Sequence, residues 1–255
     1  MKPGVVSNTF RHLLPEQIIQ LAKDEKFSGI EWGGDVHVPH GNLNAAYTIG
    51  LSTRKAGLET AAYGSYYIIG KSEEQGLHFD KILATAQALD TKIIRVWAGE
   101  RNSEDADRIY WEKIIGESKF LAEAAAKKGI TLVLEFHENT LINNYHSCKK
   151  LLEEINCPNM RTYWQPMNGA GVEKNCSGLK IILPYIAGIH VFHWWPDSTT
   201  RHLLSIGNDD WLNYLGILKS IDKSVYALLE FVKDDSVENF RKDAITFHKM
   251  LNYFS

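Results

Sequence analysis

The sequence predicts a single α/β domain with the architecture of a (β/α)8 barrel. Short apolar segments alternate with longer amphipathic segments along all 255 residues, which is typical of repeated βα units around a parallel sheet. The alternation counts to eight, and a chain of this length suits one barrel. No linker or shift in composition divides the chain, so one domain is expected over residues 1–255. A doubly wound sheet with an extra unit is the alternative.

The first four βα units carry clear start and stop signals. Pro15 suits the first turn of a helix, and Gly129 suits the end of the long fourth helix. Apolar residues within that fourth helix keep helical spacing. The predicted elements are strands at 4–7, 29–32, 58–63 and 92–97, and helices starting at 15, over 44–56, over 73–89 and ending at 129.

The second half continues the same alternation. Ser236 is expected to cap the last helix, and Asp209 or Asp210 the seventh. The predicted elements are strands at 131–135, 161–165, 186–193 and 225–230, and helices at 146–156, 176–184, from about 209, and at 237–251. The longest predicted βα loops follow strands two, five, six and seven. Because barrels place chemistry on these loops, the active face is expected at 33–43, 136–145, 166–175 and 193–208.

Composition favours an enzyme-sized globular unit that acts on a small molecule. Hydrophobic residues make up 44% and charged residues 23%, which allows a large core. A net charge of -3 without clustered Lys and Arg argues against nucleic acid as a partner. No stretch approaches the roughly 20 apolar residues of a membrane span. Three cysteines without CxxC spacing and no signal-like N-terminal run indicate a reducing cytoplasm.

Four successive strands of the second half end in, or carry, residue types that ligate metals. Glu135, Gln165 and Glu230 each close a predicted strand, and His190 lies in the strand between the last two. The C-terminal ends of barrel strands open on one face, so these side chains are expected to converge. Their mixed oxygen and nitrogen donors fit one divalent cation, which could be Mn²⁺, Zn²⁺, Co²⁺ or Mg²⁺.

The spacing of the two glutamates supports a central cation. Glu135 and Glu230 lie on strands three steps apart, which are separated by roughly 14 Å across an eight-stranded ring. A Glu side chain reaches roughly 5 Å and a metal–oxygen bond adds about 2.1 Å, so both carboxylates just reach the centre. Each glutamate alone could instead be a solvated or helix-capping carboxylate. The residues before each glutamate are apolar, however, so a carboxylate without a partner would then lie at a half-buried rim, which is energetically costly.

His190 and His193 compete for the histidine ligand position. Alternation along a strand points the two side chains to opposite sides, so only one is expected to face the mouth at metal depth. His190 is preferred, because His193 falls where the strand should give way to Trp194-Trp195-Pro196. There His193 could hydrogen-bond a substrate hydroxyl or carbonyl. A core histidine with satisfied hydrogen bonds is the alternative for either position.

Four short motifs, in this order along the chain, resemble the sugar phosphate isomerase/epimerase superfamily with xylose isomerase-like TIM barrels. The motifs are Leu134-Glu-Phe-His, Trp164-Gln-Pro-Met-Asn, His190-Val-Phe-His and Leu229-Glu-Phe-Val. The resemblance implies that Glu135, His190 and Glu230 bind one divalent cation and that both glutamates move protons. Gln165 departs from the pattern, since the family often has Asp there. An amide oxygen can ligate but brings no charge, which lowers the expected affinity for the cation.

The expected chemistry is proton transfer next to a carbonyl. A cation that binds adjacent carbonyl and hydroxyl oxygens would stabilise an enediolate. Glu135 and Glu230 would approach from opposite sides, so one can remove a proton and the other return it. The expected activity is therefore isomerisation or epimerisation of a free or phosphorylated sugar. Barrels of this family often pair, which makes a homodimer an expectation.

Several rim residues are candidates for contacts with the sugar. Ordinary packing is the alternative for the aromatic residues among them, and a solvated loop is the alternative for His37 and His40. The candidate substrate-binding residues are His193, His137, Asn168, Trp97, Arg201, Lys233, Glu31 and His37.

Three other activities compete with this interpretation. A metal-dependent dehydratase of a keto-sugar or inosose-like substrate would use the same ligands. A nuclease of the endonuclease IV type would need more His and carboxylate ligands and a basic groove, which the charge balance disfavours. A non-catalytic sugar-binding barrel is the alternative that is not an enzyme.

Overall fold

The computed structural model of the protein describes residues 1–222 and 224–254 and contains a closed barrel of parallel strands. The strands follow one another in chain order around the barrel, and β8 pairs with β1 through Lys2 opposite Tyr226. They are Lys2–Val6 (β1), Gly29–Gly33 (β2), Glu59–Ile68 (β3), Ile93–Trp97 (β4), Thr131–Glu135 (β5), Met160–Trp164 (β6), Ile186–Val191 (β7) and Tyr226–Leu229 (β8). The predicted (β/α)8 barrel is confirmed, and a doubly wound sheet is excluded.

A helix follows each strand and covers the outside of the barrel. The helices are Pro15–Asp24 (α1), Leu43–Lys55 (α2), Phe79–Leu89 (α3), Arg108–Ala126 (α4), Tyr145–Ile155 (α5), Val172–Ile182 (α6), Asn208–Leu218 (α7) and Val237–Tyr253 (α8). Side-chain caps start several of them, and the predicted Ser236 cap is confirmed, since its side chain accepts a hydrogen bond from the Asn239 amide. Within the described ranges, no helix is long and apolar enough to cross a membrane.

The starts of α3, α6 and α7 differ from the prediction. α3 starts at Phe79 rather than 73, because the Glu73 carboxylate lies outside the helix and accepts a hydrogen bond from the Phe79 amide at 2.7 Å. α6 starts at Val172 rather than 176. α7 has Gly207 at its N-cap, so Asp209 and Asp210 lie in its first turn and neither caps it.

The loops on the active face are also distributed more evenly than predicted. β3 runs on to Ile68 through a break in its pairing with β4, where Tyr66 has a positive φ. The connections after β3 and β4 span residues 69–78 and 98–107, comparable in length with the loop after β2. The expectation that the longest βα loops follow strands two, five, six and seven is therefore wrong, because the loops after β3 and β4 are as long as the loop after β2.

The buried apolar residues form two layers. The large outer layer lies between the strands and the helices. The small inner layer fills the lower part of the barrel and consists of Val6, Ala61, Ala62, Val133, Tyr163, Tyr226 and Leu228. Inner positions nearer the C-terminal rim are instead charged or polar, among them Glu31, Arg95 and His190. The fold therefore concentrates its buried polar side chains at one end of the barrel.

Candidate metal centre

The four predicted ligands meet at the C-terminal rim. His190 Nδ1 lies 3.0 Å from Gln165 Oε1, 3.3 Å from Glu230 Oε2 and 3.5 Å from Glu135 Oε1. The ligating atoms of Glu135, His190 and Glu230 all lie within 4.8 Å of one another. Each of the four residues is buried. One imidazole nitrogen thus faces three oxygen atoms that could bind a metal, and these oxygens come from the ends of three other strands.

Strand register brings these side chains to one level. His190 pairs with Leu228 across β7 and β8, and the Glu230 amide donates to Val191 O at 3.0 Å. Gly188 faces the Tyr163 ring so closely that a Cβ there would lie 2.3 Å from Tyr163 Cε1. The Tyr163 ring in turn packs edge-on against the His190 imidazole, with centroids 5.1 Å apart. The missing side chain at position 188 therefore makes room for the ring that supports His190.

Arg95 is a component of the centre that was missed by the sequence analysis. Its side chain is 2% exposed, and its Nε donates to Glu31 Oε1 at 2.7 Å. Its Nη1 donates to Glu135 Oε2, which also accepts a hydrogen bond from Trp97 Nε1. A charged residue in the middle of the apolar strand Ile93–Trp97 was the signal that could have identified it. Arg95 therefore links two buried carboxylates and fixes the orientation of Glu135.

Glu31 lies on the far side of the His190 ring from the rim cluster. It is fully buried, and its Oε2 is 3.8 Å from His190 Nε2. Neither of these atoms has a hydrogen-bond partner among the described residues. Histidines that bind metal usually direct their second nitrogen towards a carboxylate or carbonyl, and Glu31 occupies that position. The complete burial of Glu31 does not support the sugar contact that was expected for it.

The pKa values of the two opposed glutamates shift in opposite directions. Burial raises the pKa of Glu230, and the neighbouring Glu135 carboxylate adds to the effect although His190 opposes it. Burial acts in the same direction on Glu135, but the Arg95 guanidinium and His190 outweigh it and lower the pKa. Burial disfavours a charged imidazole, yet Glu230, Glu135 and Glu31 raise the pKa of His190 to about 10. The centre therefore carries an excess of negative charge that attracts cations.

The residues present fit one divalent cation. Two carboxylates, an amide oxygen and an imidazole nitrogen supply four donors of the kind that such ions accept. As a metal ligand His190 would be neutral, and the ionised carboxylates of Glu31, Glu135 and Glu230 against the guanidinium of Arg95 would then leave two negative charges, which a divalent ion would balance. Glu31 Oε2 and His190 Nε2 have no hydrogen-bond partner among the residues that the structure describes. If His190 Nδ1 binds the cation, Nε2 carries the proton, and this N–H points at the Glu31 carboxylate.

A cavity of about 130 Å³ opens above the cluster. Glu135, Gln165 and Glu230 form its floor, and the predicted His137 and Asn168 lie in its wall. His137 stacks on Trp97 with centroids 5.3 Å apart, and Trp97 in turn contacts Glu135. The other wall residues were not named individually, although all except Phe231 lie in the loops that were expected to form the active face. They are Phe136, Glu138, Asn143, Pro166, Met167, Trp194, Ser198 and Phe231. We call this space the mouth cavity.

His193 lies beside the mouth cavity rather than in it. It lines a second cavity of about 340 Å³, whose wall is shared with the mouth cavity at Asn168 and Trp194. Arg201 stacks over the Phe231 ring at 4.7 Å and donates to Asp235 at 2.6 Å. It therefore supports the mouth from outside.

His37 and Lys233, two other predicted substrate contacts, do not line the mouth cavity. His37 is buried, with Nδ1 3.1 Å from Ser7 Oγ and Nε2 3.2 Å from Leu13 O. Its burial excludes the solvated loop that was the alternative for His37 and does not support the expected sugar contact. Lys233 is exposed on the 3₁₀ turn Lys233–Asp235 and does not line the mouth cavity. Its expected sugar contact is not supported by this position.

Comparison with known proteins agrees with this architecture. A 174-residue segment is 26% identical to 3-dehydroshikimate dehydratase of Bacillus anthracis and spans 63% of this chain and 60% of that protein. The crystal structure of the probable 3-DHS dehydratase AsbF from Bacillus anthracis superposes with a TM-score of 0.79 at 19% identity, over 97% of this chain and 99% of that one.

Two further solved structures share the fold over almost all of both chains. D-psicose 3-epimerase in the presence of D-fructose has a TM-score of 0.75 at 15% identity, covering 99% of this chain and 98% of that one. IOLI protein with a bound zinc atom has a TM-score of 0.77 at 14% identity, covering 100% and 99%. Residues 19–249 match the family described as xylose isomerase-like TIM barrel. The chain belongs to that family.

Proposed function

We propose that the protein is a metal-dependent enzyme that isomerises or epimerises a small sugar by moving a proton next to a carbonyl. The observation that carries the proposal is the placement of two buried carboxylates, Glu135 and Glu230, on either side of His190 and Gln165. Glu135, Gln165, His190 and Glu230 would hold one divalent cation. That cation, when bound, would supply the Lewis acidity that stabilises negative charge on a substrate oxygen as the proton leaves.

We assign the removal of the proton to Glu230. Its raised pKa makes it the stronger base of the two glutamates, and it lies in the floor of the mouth cavity. Glu135 is held by Arg95 and Trp97, and its lowered pKa keeps it ionised. Glu135 therefore acts first as an anionic ligand. For epimerisation it takes up a proton from solvent and then donates that proton to the opposite face of the substrate.

The walls of the mouth cavity favour an uncharged, hydroxylated substrate. Asn143, Asn168 and His137 offer hydrogen bonds, while Trp194 and Phe231 offer apolar surface. No lysine or arginine of residues 1–222 and 224–254 lines the cavity. This lining supports a free sugar over a sugar phosphate, because a phosphate group would need cationic partners.

Dehydration is a second candidate reaction, and the sequence identity to 3-dehydroshikimate dehydratase favours it. The first step would be the same, since Glu230 would again remove a proton next to a ketone. The steps then diverge, because a hydroxyl leaves as water instead of a proton being returned. The fate of the hydroxyl therefore distinguishes the two reactions.

The experiment is a proton-exchange assay in D₂O with protein stripped of metal and then reloaded with Mn²⁺, Co²⁺, Zn²⁺ or Mg²⁺. D-fructose and 3-dehydroshikimate are the first substrates, followed by mass spectrometry of the products. Deuterium uptake in a product of unchanged composition supports isomerisation or epimerisation, whereas loss of one water supports dehydration. Binding without exchange or water loss would support a sugar-binding barrel and contradict the proposal.

Two variants assign the roles of the glutamates. Glu230→Gln keeps an oxygen that can ligate, as Gln165 does, but removes the base, so exchange should fall at least about 100-fold. Glu135→Gln should abolish epimerisation while leaving residual exchange. The matched control is Glu238→Gln, an exposed glutamate of α8 that pairs with Lys242. The metal content of every variant is determined in parallel, and exchange that survives in Glu230→Gln would disprove the assignment.

A further inference from the structure

The second cavity is larger than the mouth cavity and adjoins it. It measures about 340 Å³ and lies between α6 and α7, beside the loop after β6. Pro166, Met167, Asn168 and Trp194 line both cavities. We call it the side cavity. The two cavities therefore lie next to each other along these four residues.

Five phenylalanine, tyrosine and tryptophan rings line the side cavity. Trp211 and Tyr214 come from α7, and Trp195 reaches in from the loop after β7 while 49% exposed. The Trp194 ring stacks on Phe192 with centroids 3.7 Å apart, so its orientation is fixed. Such rings present broad, rigid apolar faces, which suit the C–H face of a sugar ring.

Apart from Asn168 at the border with the mouth cavity and the exposed indole of Trp195, two polar side chains in this wall have no hydrogen-bond partner within the described part of the chain. They are His193, which is partly buried, and Asp210 in the first turn of α7. Burial lowers the pKa of His193, so the imidazole is neutral at pH 7 and offers one donor and one acceptor. The Asp210 carboxylate offers acceptors only. Together they match hydroxyl groups, which both donate and accept.

Asn175, another polar side chain of this wall, already has hydrogen-bond partners. Asn175 Oδ1 accepts from Tyr145 Oη at 2.5 Å and from the Met167 amide at 2.9 Å. Asn175 therefore fixes the loop after β6, and the free hydrogen-bonding capacity of the side chains in this wall lies with His193, Asp210 and the bordering Asn168. The side cavity is also unsuited to an anion, because no lysine or arginine of the described residues lines it and Asp210 is acidic.

We propose that the side cavity is a second carbohydrate subsite, which holds a non-reacting pyranose ring linked to the sugar whose carbonyl reacts in the mouth cavity. His193 and Asp210 bind hydroxyls of that ring, and the aromatic wall packs against its C–H face. The linkage passes Asn168 and Trp194, which border both cavities. The inference rests on the proposed function, and it makes the substrate a glycoside or disaccharide rather than a single sugar.

The test measures binding rather than turnover, so its result is independent of the proposed chemistry. Methyl β-D-glucopyranoside is the probe, because it has a pyranose ring and no free carbonyl. Binding to metal-free protein is followed by saturation-transfer NMR and by quenching of tryptophan fluorescence. Wild-type protein should bind the probe, and His193→Phe and Asp210→Asn should each weaken binding about 3- to 10-fold through lost hydrogen bonds.

Glu230→Gln is the matched variant in the mouth cavity, and it should leave binding of the probe unchanged. Thermal unfolding of each variant establishes that it is folded. Absence of binding by the wild type would overturn the inference. So would binding that Glu230→Gln weakens and His193→Phe does not, because the probe would then occupy the mouth cavity. Neither result affects the exchange assay, which tests the proposed function separately.

Discussion

Arg95 is the residue on which the arrangement of the buried carboxylates depends. It contacts Glu31 and Glu135 at once, and these two glutamates lie on either side of His190. Its planar guanidinium offers several donors in fixed directions, which a lysine cannot reproduce. Arg95 therefore sets the orientation of Glu135. Through Glu31 it also influences the orientation of the His190 ring, although Arg95 does not line the mouth cavity.

Arg95→Lys should separate the geometric role of Arg95 from its charge. The variant keeps the positive charge but cannot hold both carboxylates, so the affinity for Mn²⁺ should fall about 10- to 100-fold. Affinity is measured by competition with a fluorescent chelator. Arg108→Lys, on the exposed surface of α4, is the control. Unchanged affinity in a folded Arg95→Lys protein would show that Arg95 does not position the ligands.

Gln165 is the residue at which the ligand set departs from the acidic pattern of the superfamily that the motifs resemble. Gln165→Glu adds a carboxylate of the same length beside His190, so Mn²⁺ should bind about tenfold more tightly. Without metal the additional buried charge should lower the melting temperature. Calorimetric titration and thermal unfolding in the presence of a chelator check the two effects. Weaker binding of Mn²⁺ would mean that the side chain at position 165 does not ligate.

At the scale of elements, Asp243 connects α8 to the 3₁₀ helix Leu204–Gly207 that precedes α7. Its Oδ1 accepts a hydrogen bond from the Leu204 amide at 2.8 Å, and burial raises the pKa of the carboxyl to about 6. A carboxyl with a raised pKa in the folded state stabilises the fold below its unfolded pKa of about 4. That contribution is lost as the pH rises through about 6.

Asp243→Asn should remove this pH dependence. The amide oxygen can still accept from Leu204, and no charge is buried. The free energy of unfolding should therefore rise at pH 8, by at most about 3 kcal/mol, and change little at pH 4. Urea denaturation at both values measures it, with the exposed Asp105→Asn as control. An equal effect at the two pH values would contradict the assignment.

Strand ends could be predicted from the sequence, but contacts across the barrel could not. Apolar runs that stop at Glu135 or Glu230 identify both the strand and the rim position, because alternation and parallel topology are local rules. The contact between Arg95 and Glu31 joins β4 to β2 across the closed interior, and no local pattern encodes it. The prediction for the start of α3 was wrong for a similar reason. Helical spacing does not reveal that the Glu73 side chain lies outside the helix and accepts a hydrogen bond from the Phe79 amide.

At the scale of the whole molecule, the proposed ligands come from four consecutive βα units. A bound cation would therefore connect half of the barrel, and unfolding would have to release it. Mn²⁺ at 100 times its Kd should stabilise the wild type by about 2.7 kcal/mol, seen as a higher melting temperature. Glu230→Ala should lose most of this shift, whereas Glu238→Gln should keep it. An equal shift in Glu230→Ala would disprove the proposed centre.

The depth of His190, which has no exposed surface, constrains the order in which molecules arrive. The lower barrel is filled by the Tyr163 and Tyr226 layer, so the mouth cavity is the remaining approach to the cluster. A sugar that settles there first would block the path of the ion behind it. High sugar concentrations should therefore slow turnover when Mn²⁺ is scarce, and additional Mn²⁺ should relieve the inhibition in initial-rate measurements. Inhibition that Mn²⁺ cannot relieve would point to a different route for the ion.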